Sequence, residues 1–181
     1  MKWISAEDIE TSDIDSFLSK AQGIIIPGGF GDRGLEGMIK TAEYARTQNI
    51  PYLGLCLGMQ IMVIEYARNV LQINDANSLE IDPETKNPVI AFMPGQEEVH
   101  STGGTMRLGA YPCILKENSL AMKVYTESSI SERHRHRYEF NNKFREEFES
   151  NGLLISGTSP DNKLVEITEV MNHPYMIGSQ F

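Results

Sequence analysis

A cysteine bracketed two residues away on each side by glycine, in Gly54-Leu55-Cys56-Leu57-Gly58-Met59-Gln60, restricts the chain around it to a sharp turn from a strand into a helix. The turn folds closely on itself, and glycine leaves room where a β-carbon would clash. A cysteine at such an elbow stands at a helix N-terminus, where unpaired amides and the helix dipole favour thiolate over thiol. Cys56 is therefore the candidate nucleophile, and the N–H of Leu57, the next residue, is placed to meet a developing oxyanion.

The preceding residues indicate what the elbow is built into. Gly23-Ile24-Ile25-Ile26-Pro27 is short, apolar and β-branched, the pattern of a strand buried on both faces of a parallel sheet. It ends in Gly28-Gly29-Phe30-Gly31, where Gly29 can turn its amide toward a ligand and act as the second oxyanion donor. Leu35, Met38, Ala42 and Ala45 recur at helical spacing up to about Asn49, and residues 51–55 form the next strand. With a helix from Met59 to about Val70, this is a βαβα unit. The expected class is α/β, an open and mostly parallel sheet flanked by helices, with its chemistry beyond the C-terminal ends of the strands.

Elsewhere the pattern is weaker. Trp3 and Ile4 are expected to close a strand, and residues 5–8 and 13–20 to form short helical turns. The stretch up to Thr102 contains Pro83, Pro88, Pro94 and Gly95 and is expected to loop around one strand at Val89 to Phe92. A helix from Asn141 to Ser150 capped by Gly152, then strands over residues 153–158, 163–170 and 175–181, make a small β-rich flank. At 181 residues, 40% hydrophobic and without repeats or linkers, the chain reads as one domain.

Charge narrows the partners. With 25 acidic against 16 basic residues the net charge is −9, which disfavours nucleic acid. Two cysteines are too few for a disulfide scaffold, and neither a leader nor a membrane-spanning apolar run is evident, so a cytoplasmic protein with no membrane partner is expected. Against the acidic background stands Arg133-His134-Arg135-His136-Arg137. In an extended segment the three arginines would share one side and the two histidines the other. That arginine face could bind an amino-acid or nucleotide anion, or could simply be solvated. The histidines make poor general bases: His100 is in a loop-like stretch, His134 and His136 sit among arginines that oppose imidazolium, and His173 precedes Pro174 in a turn. No metal site is expected.

Residues 27–31, the elbow, Gly103-Gly104-Thr105-Met106-Arg107-Leu108-Gly109 and Glu132 to Asn141 together resemble the glutaminase domain of the CTP synthase family, nearly end to end. The elbow alone indicates only the class I glutamine amidotransferases, whereas the last two segments are particular to that family. The resemblance implies a glutaminase that attacks the side-chain amide of L-glutamine, releases ammonia and hydrolyses a glutamyl thioester. It implies Cys56 as nucleophile, Gly29 and Leu57 as oxyanion donors, and Gly29, Phe30, Leu57, Gly58, Met59, Gln60, Glu80 and Arg137 as the glutamine site. Arg137 suits the α-carboxylate and Glu80 the α-ammonium of a free amino acid. Thr105 and Arg107 lie in a segment resembling the lid associated with activation by GTP.

The resemblance further implies a synthetase domain of the same enzyme, in a homo-oligomer, using ATP and Mg2+ to aminate UTP to CTP; no cofactor is expected on these residues themselves. In the family the counterpart of Gln180-Phe181 runs into His-Pro-Glu, the base and its orienting carboxylate, and a further strand and helix precede the counterpart of Met1. Residues 1–181 are thus expected to be an incomplete glutaminase domain, inactive alone. His173-Pro174 is followed by Tyr175 and is not that motif. The competing reading is a natural non-catalytic glutamine-binding or regulatory module, against which the retained thiol argues. A cysteine hydrolase of the DJ-1 kind would not explain Arg137 with Glu80.

Overall fold

The computed structural model describes residues 1–92 and 106–181. Helices α1 (Ala6–Thr11) and α2 (Asp15–Leu18) lead into β1 (Ile24–Ile26), α3 (Leu35–Thr47), β2 (Tyr52–Leu55) and α4 (Leu57–Asn69), the expected βαβα unit. There follow β3 (Ala76–Ser78), β4 (Asn87–Phe92), β5 (Arg107–Leu115), α5 (Leu120–Tyr125), β6 (Ser129–His136), β7 (Tyr138–Phe140), α6 (Arg145–Ser150), β8 (Leu153–Thr158), β9 (Val165–Val170) and β10 (Met176–Ser179). Seven strands form a sheet in the order β1-β2-β10-β9-β8-β5-β6, and β3-β4-β7 form a second, three-stranded sheet.

The α/β class and the flanking helices hold, and the parallel pairing holds for β1, β2 and β10, the strands around the elbow. The sheet as a whole is mixed, because β10-β9, β9-β8, β8-β5 and β5-β6 all pair antiparallel. For β8, β9 and β10 connection length is the reason. Residues 159–164 and 171–175 are too few for the crossover that a parallel neighbour requires, so these strands turn back on themselves.

Ile26, Gly54 and Gly178 lie in register across β1, β2 and β10, and α4 lies over that line. The helix is apolar nearly all round because α3, the main sheet and the small sheet all pack on it; every residue from Leu57 to Ala67 is buried. That includes Glu65, whose carboxylate is met by Arg46 Nε and Nη2 at 2.7–3.1 Å and by Asn69 at 3.1 Å, so the buried charge is paired. The main core joins Tyr52, Met59, Ile61, Ile64, Phe148 and Leu153. A smaller one on the other sheet face joins Cys113, Ile130, Ile167 and Ile177.

Several expectations need correction. β1 is not buried on both faces: Ile24 and Ile26 are buried, but Ile25 is 60% exposed. The strands over residues 153–181, expected as a small flank, are β8, β9 and β10 of the main sheet, and the small sheet is β3-β4-β7. Trp3 and Ile4 form no strand: Trp3 is 80% exposed, and Ile4 packs on the core as the lead into α1. Gly109 and Pro112 interrupt the strand pattern of β5, yet it pairs with β6 from Arg107 to Ile114. Its other side meets β8 only at Ile114 and Leu115, so Pro112 sits where that side has no partner strand. In β6 the histidines do point inward and Arg133 and Arg135 outward, but Arg137 lies past the strand end, half-buried, and does not share their face.

Candidate active site

β2 ends at Leu55, and Cys56 follows it with φ 51° and ψ −101°, a left-handed conformation that non-glycine residues rarely keep. Its N–H donates to the Ser179 carbonyl at 2.7 Å, and its carbonyl accepts from the Met59 and Gln60 amides at 3.1 and 3.2 Å. A β-carbon on Gly54 would lie 2.5 Å from the Gly58 carbonyl, and one on Gly58 would run into the Ile26 carbonyl. The elbow closes only because both are absent. Tyr52, wholly buried, donates its hydroxyl to the Gly58 carbonyl at 2.7 Å; in the sequence it is indistinguishable from a core aromatic.

The Gly28-Gly29 turn abuts this elbow. A β-carbon on Gly28 would be 3.5 Å from Cys56 Cβ, and one on Gly29 would be 3.1 Å from Leu57 Cδ2. The two segments expected to donate to an oxyanion are therefore neighbours.

Burial pushes the half-buried Cys56 thiol up, opposed by the Leu57 N–H, reinforced by Glu80, opposed by the Gln180 amide and reinforced by Glu139. The pull toward thiolate expected at a helix N-terminus is present in the Leu57 amide, but desolvation outweighs it. Gln180 Nε2 donates to the sulfur at 3.7 Å. Gln60 Nε2 donates in turn to Gln180 Oε1 at 3.4 Å and to the Tyr138 carbonyl at 3.2 Å.

Glu80 accepts from the Gly31 N–H at 3.4 Å, which ties it to the loop after β1. The Tyr138 hydroxyl is pushed up by burial, then up by Glu80 and down by Arg137. One acidic and one basic side chain thus lie within electrostatic reach of the same phenol, and Glu80 also reaches Cys56. Phe30, in the loop between β1 and α3, is 88% exposed. Met59 is different: its side chain packs on Gly178 in the core, and its N–H donates to the Cys56 carbonyl.

Of the two residues expected in the lid segment, Arg107 is a described one and is buried. It opens β5, buried, with Nη2 and Nη1 on the two Glu166 oxygens at 2.6 and 3.0 Å and a further contact to Glu139 at 3.5 Å. Its guanidinium covers the Tyr111 ring at 4.4 Å. His136 shares a hydrogen bond with Glu139 at 2.7 Å. His134, between the Tyr111 and Phe181 rings, has its pKa pushed down to about 3, first by burial, then by Arg107 and His136. His173 meets the Ala45 carbonyl and accepts from the Tyr175 N–H, holding the turn before β10. None of these three imidazoles hydrogen-bonds Cys56. Thr105, His100, Gly103 and Gly104 lie outside the described residues. Among the described residues no group of three or more His, Cys, Asp or Glu is placed to hold a metal, and no helix is long and apolar enough to cross a membrane.

The residues missed by sequence reasoning are Tyr52, Tyr138, Glu139 and Gln180. Only the last two carried a signal, as polar residues inside otherwise strand-like segments.

A strained cysteine elbow beside a glycine turn on a mixed, helix-flanked sheet defines a class, and the chain belongs to the class-I glutamine amidotransferase family, whose family model matches residues 1–181. At 13% identity and a TM-score of 0.60, a glutamine amidotransferase from Thermotoga maritima shares the fold over 96% of this chain and 60% of that one. Within the family the domain is homologous to the glutaminase domain of CTP synthase. It is 55% identical over 181 residues to the CTP synthase of Bacillus subtilis and 56% to that of Clostridium kluyveri, spanning 34% of the length of each. The Trypanosoma brucei CTP synthase glutaminase domain, solved with bound acivicin, superposes with a TM-score of 0.92 at 35% identity, over 99% of this chain and 71% of that one.

Proposed function

We propose that this domain hydrolyses L-glutamine and supplies the ammonia with which a synthetase domain, using ATP and Mg2+, converts UTP to CTP under activation by GTP. The observation that carries the reading is the left-handed Cys56, set against Gly28-Gly29 with Glu80 in electrostatic reach. The Cys56 sulfur attacks the side-chain amide carbon of glutamine, and the oxyanion takes hydrogen bonds from the Leu57 and Gly29 amides. Collapse breaks the C–N bond, the nitrogen gains a proton and leaves as ammonia, and water then cleaves the thioester to glutamate and free thiol.

Arg137 and Glu80 would hold the α-carboxylate and α-ammonium, with Phe30, Gly58, Met59 and Gln60 completing the wall, and Thr105 and Arg107 in the activation segment. The thiol proton needs an acceptor. Gln180 touches the sulfur and Phe181 follows it, so a base following Phe181, as the family's His-Pro-Glu would supply, would be delivered beside Cys56.

The test is CTP formation by the full-length protein with glutamine or with ammonium as nitrogen donor. Cys56→Ala is expected to abolish the first and spare the second. Glutamine-dependent ammonia release that survives Cys56→Ala would overturn the proposal.

A further inference from the structure

We propose that Gln180 is a positioning residue for the Cys56 thiol, holding the sulfur by an N–H···S hydrogen bond and steadying its thiolate. The inference rests on the reading of Cys56 as the nucleophile.

The residue itself is held in place. Gln180 is fully buried just beyond β10, and its backbone N–H donates to the Glu166 carbonyl at 2.8 Å. Its side-chain nitrogen is 3.7 Å from Cys56 Sγ.

The orientation of the carboxamide follows from its neighbours. The Tyr138 carbonyl can only accept, so the Gln60 group facing it at 3.2 Å is the NH2. That same NH2, 3.4 Å from Gln180, needs an oxygen there, so the oxygen of Gln180 turns to Gln60 and its NH2 turns to the sulfur. A backbone carbonyl thereby sets the direction of two buried amides ending on the candidate nucleophile.

The electrostatic balance gives this contact its weight. The charged and polar groups acting on Cys56 are the Leu57 N–H at the start of α4, Gln180 after β10, Glu80 after β3 and Glu139 in β7. Burial and both carboxylates disfavour the thiolate; the two N–H donors favour it. Among the described residues Gln180 is the side-chain donor to this sulfur, and a carboxamide donates at any pH without titrating.

The experiment is the pH profile of iodoacetamide alkylation at Cys56 in the full-length protein, read on the Cys56 peptide by mass spectrometry. Gln180→Met removes the donor, and Gln180→Glu replaces it with a carboxyl group of nearly the same shape. Each is expected to move the profile upward by about one pH unit, which below the thiol pKa slows alkylation about tenfold. Gln60→Met, which releases the Gln180 oxygen, moves it the same way by less. Should Gln180→Met fail to fold, Gln180→Glu and Gln60→Met decide. Folded variants with the wild-type profile, or a slowing that is the same at every pH, would overturn the proposal. Because the readout needs no glutamine, a wild-type protein that fails to hydrolyse glutamine refutes the nucleophile reading through a separate measurement.

Discussion

Adding a single methyl group at Gly58 probes the packing that makes the elbow possible. The β-carbon of Gly58→Ala would overlap the Ile26 carbonyl oxygen and lie 3.0 Å from the Ile26 carbonyl carbon. These are backbone atoms of a strand paired to β2, so no rotamer change relieves the overlap, and α4 or β1 must move. Overpacking costs about 1–3 kcal/mol, and a backbone clash belongs at the upper end, about 3. Alanine is a better helix former than glycine by about 1 kcal/mol, so the expected net loss is about 2 kcal/mol. For a domain of this size that lowers the melting temperature by about 4–8 °C.

Thermal melts of the full-length protein would measure it, with Gly23→Ala as the matched control. A β-carbon at Gly23 meets only ordinary contacts, at 3.7 and 3.9 Å, so its melt should stay near wild type. Because Gly58 also carries the Tyr52 hydrogen bond in the turn that orients Leu57, Cys56 reactivity should fall together with stability. Gly58→Ala melting at or above wild type would refute the argument that close approach of α4 to β1 sets the elbow.

Two further outcomes follow from the buried charges. Arg107→Met leaves Glu139 and Glu166 facing each other with no cation between them; breaking a buried pair costs about 3–5 kcal/mol, which chemical denaturation would read, and a loss under 1 kcal/mol would contradict the assignment. His134 titrates near 3 in the fold against 6.5 ordinarily, so its contribution to stability is full above about pH 6.5 and is lost as pH falls toward 3, where only the unfolded chain takes up the proton. Between those values it adds a slope of up to about 1.4 kcal/mol per pH unit. His134→Phe should flatten the acid side of the stability curve, and an unchanged slope would count against a neutral buried imidazole.

The elements legible in the sequence are those whose signal is local. Gly54 and Gly58 around Cys56, the isoleucines of β1, the 3.6-residue spacing of α3 and the strict alternation in β6 each report a backbone geometry that neighbouring residues alone impose. Pairing between distant segments has no such local signature. Nothing near Arg107 announces Glu166, so a charged residue beside glycines carries no local sign that it is the buried start of a strand. Mixed sheet direction depended on the length of the turns before β9 and β10, and the departure of Arg137 from the arginine face on where β6 ends. The contact of Gln180 with Cys56 spans 124 positions and exists because β10 pairs with β2 in one register. Periodicity could place each residue on a strand face, but only the tertiary register decided which buried side chain met the sulfur.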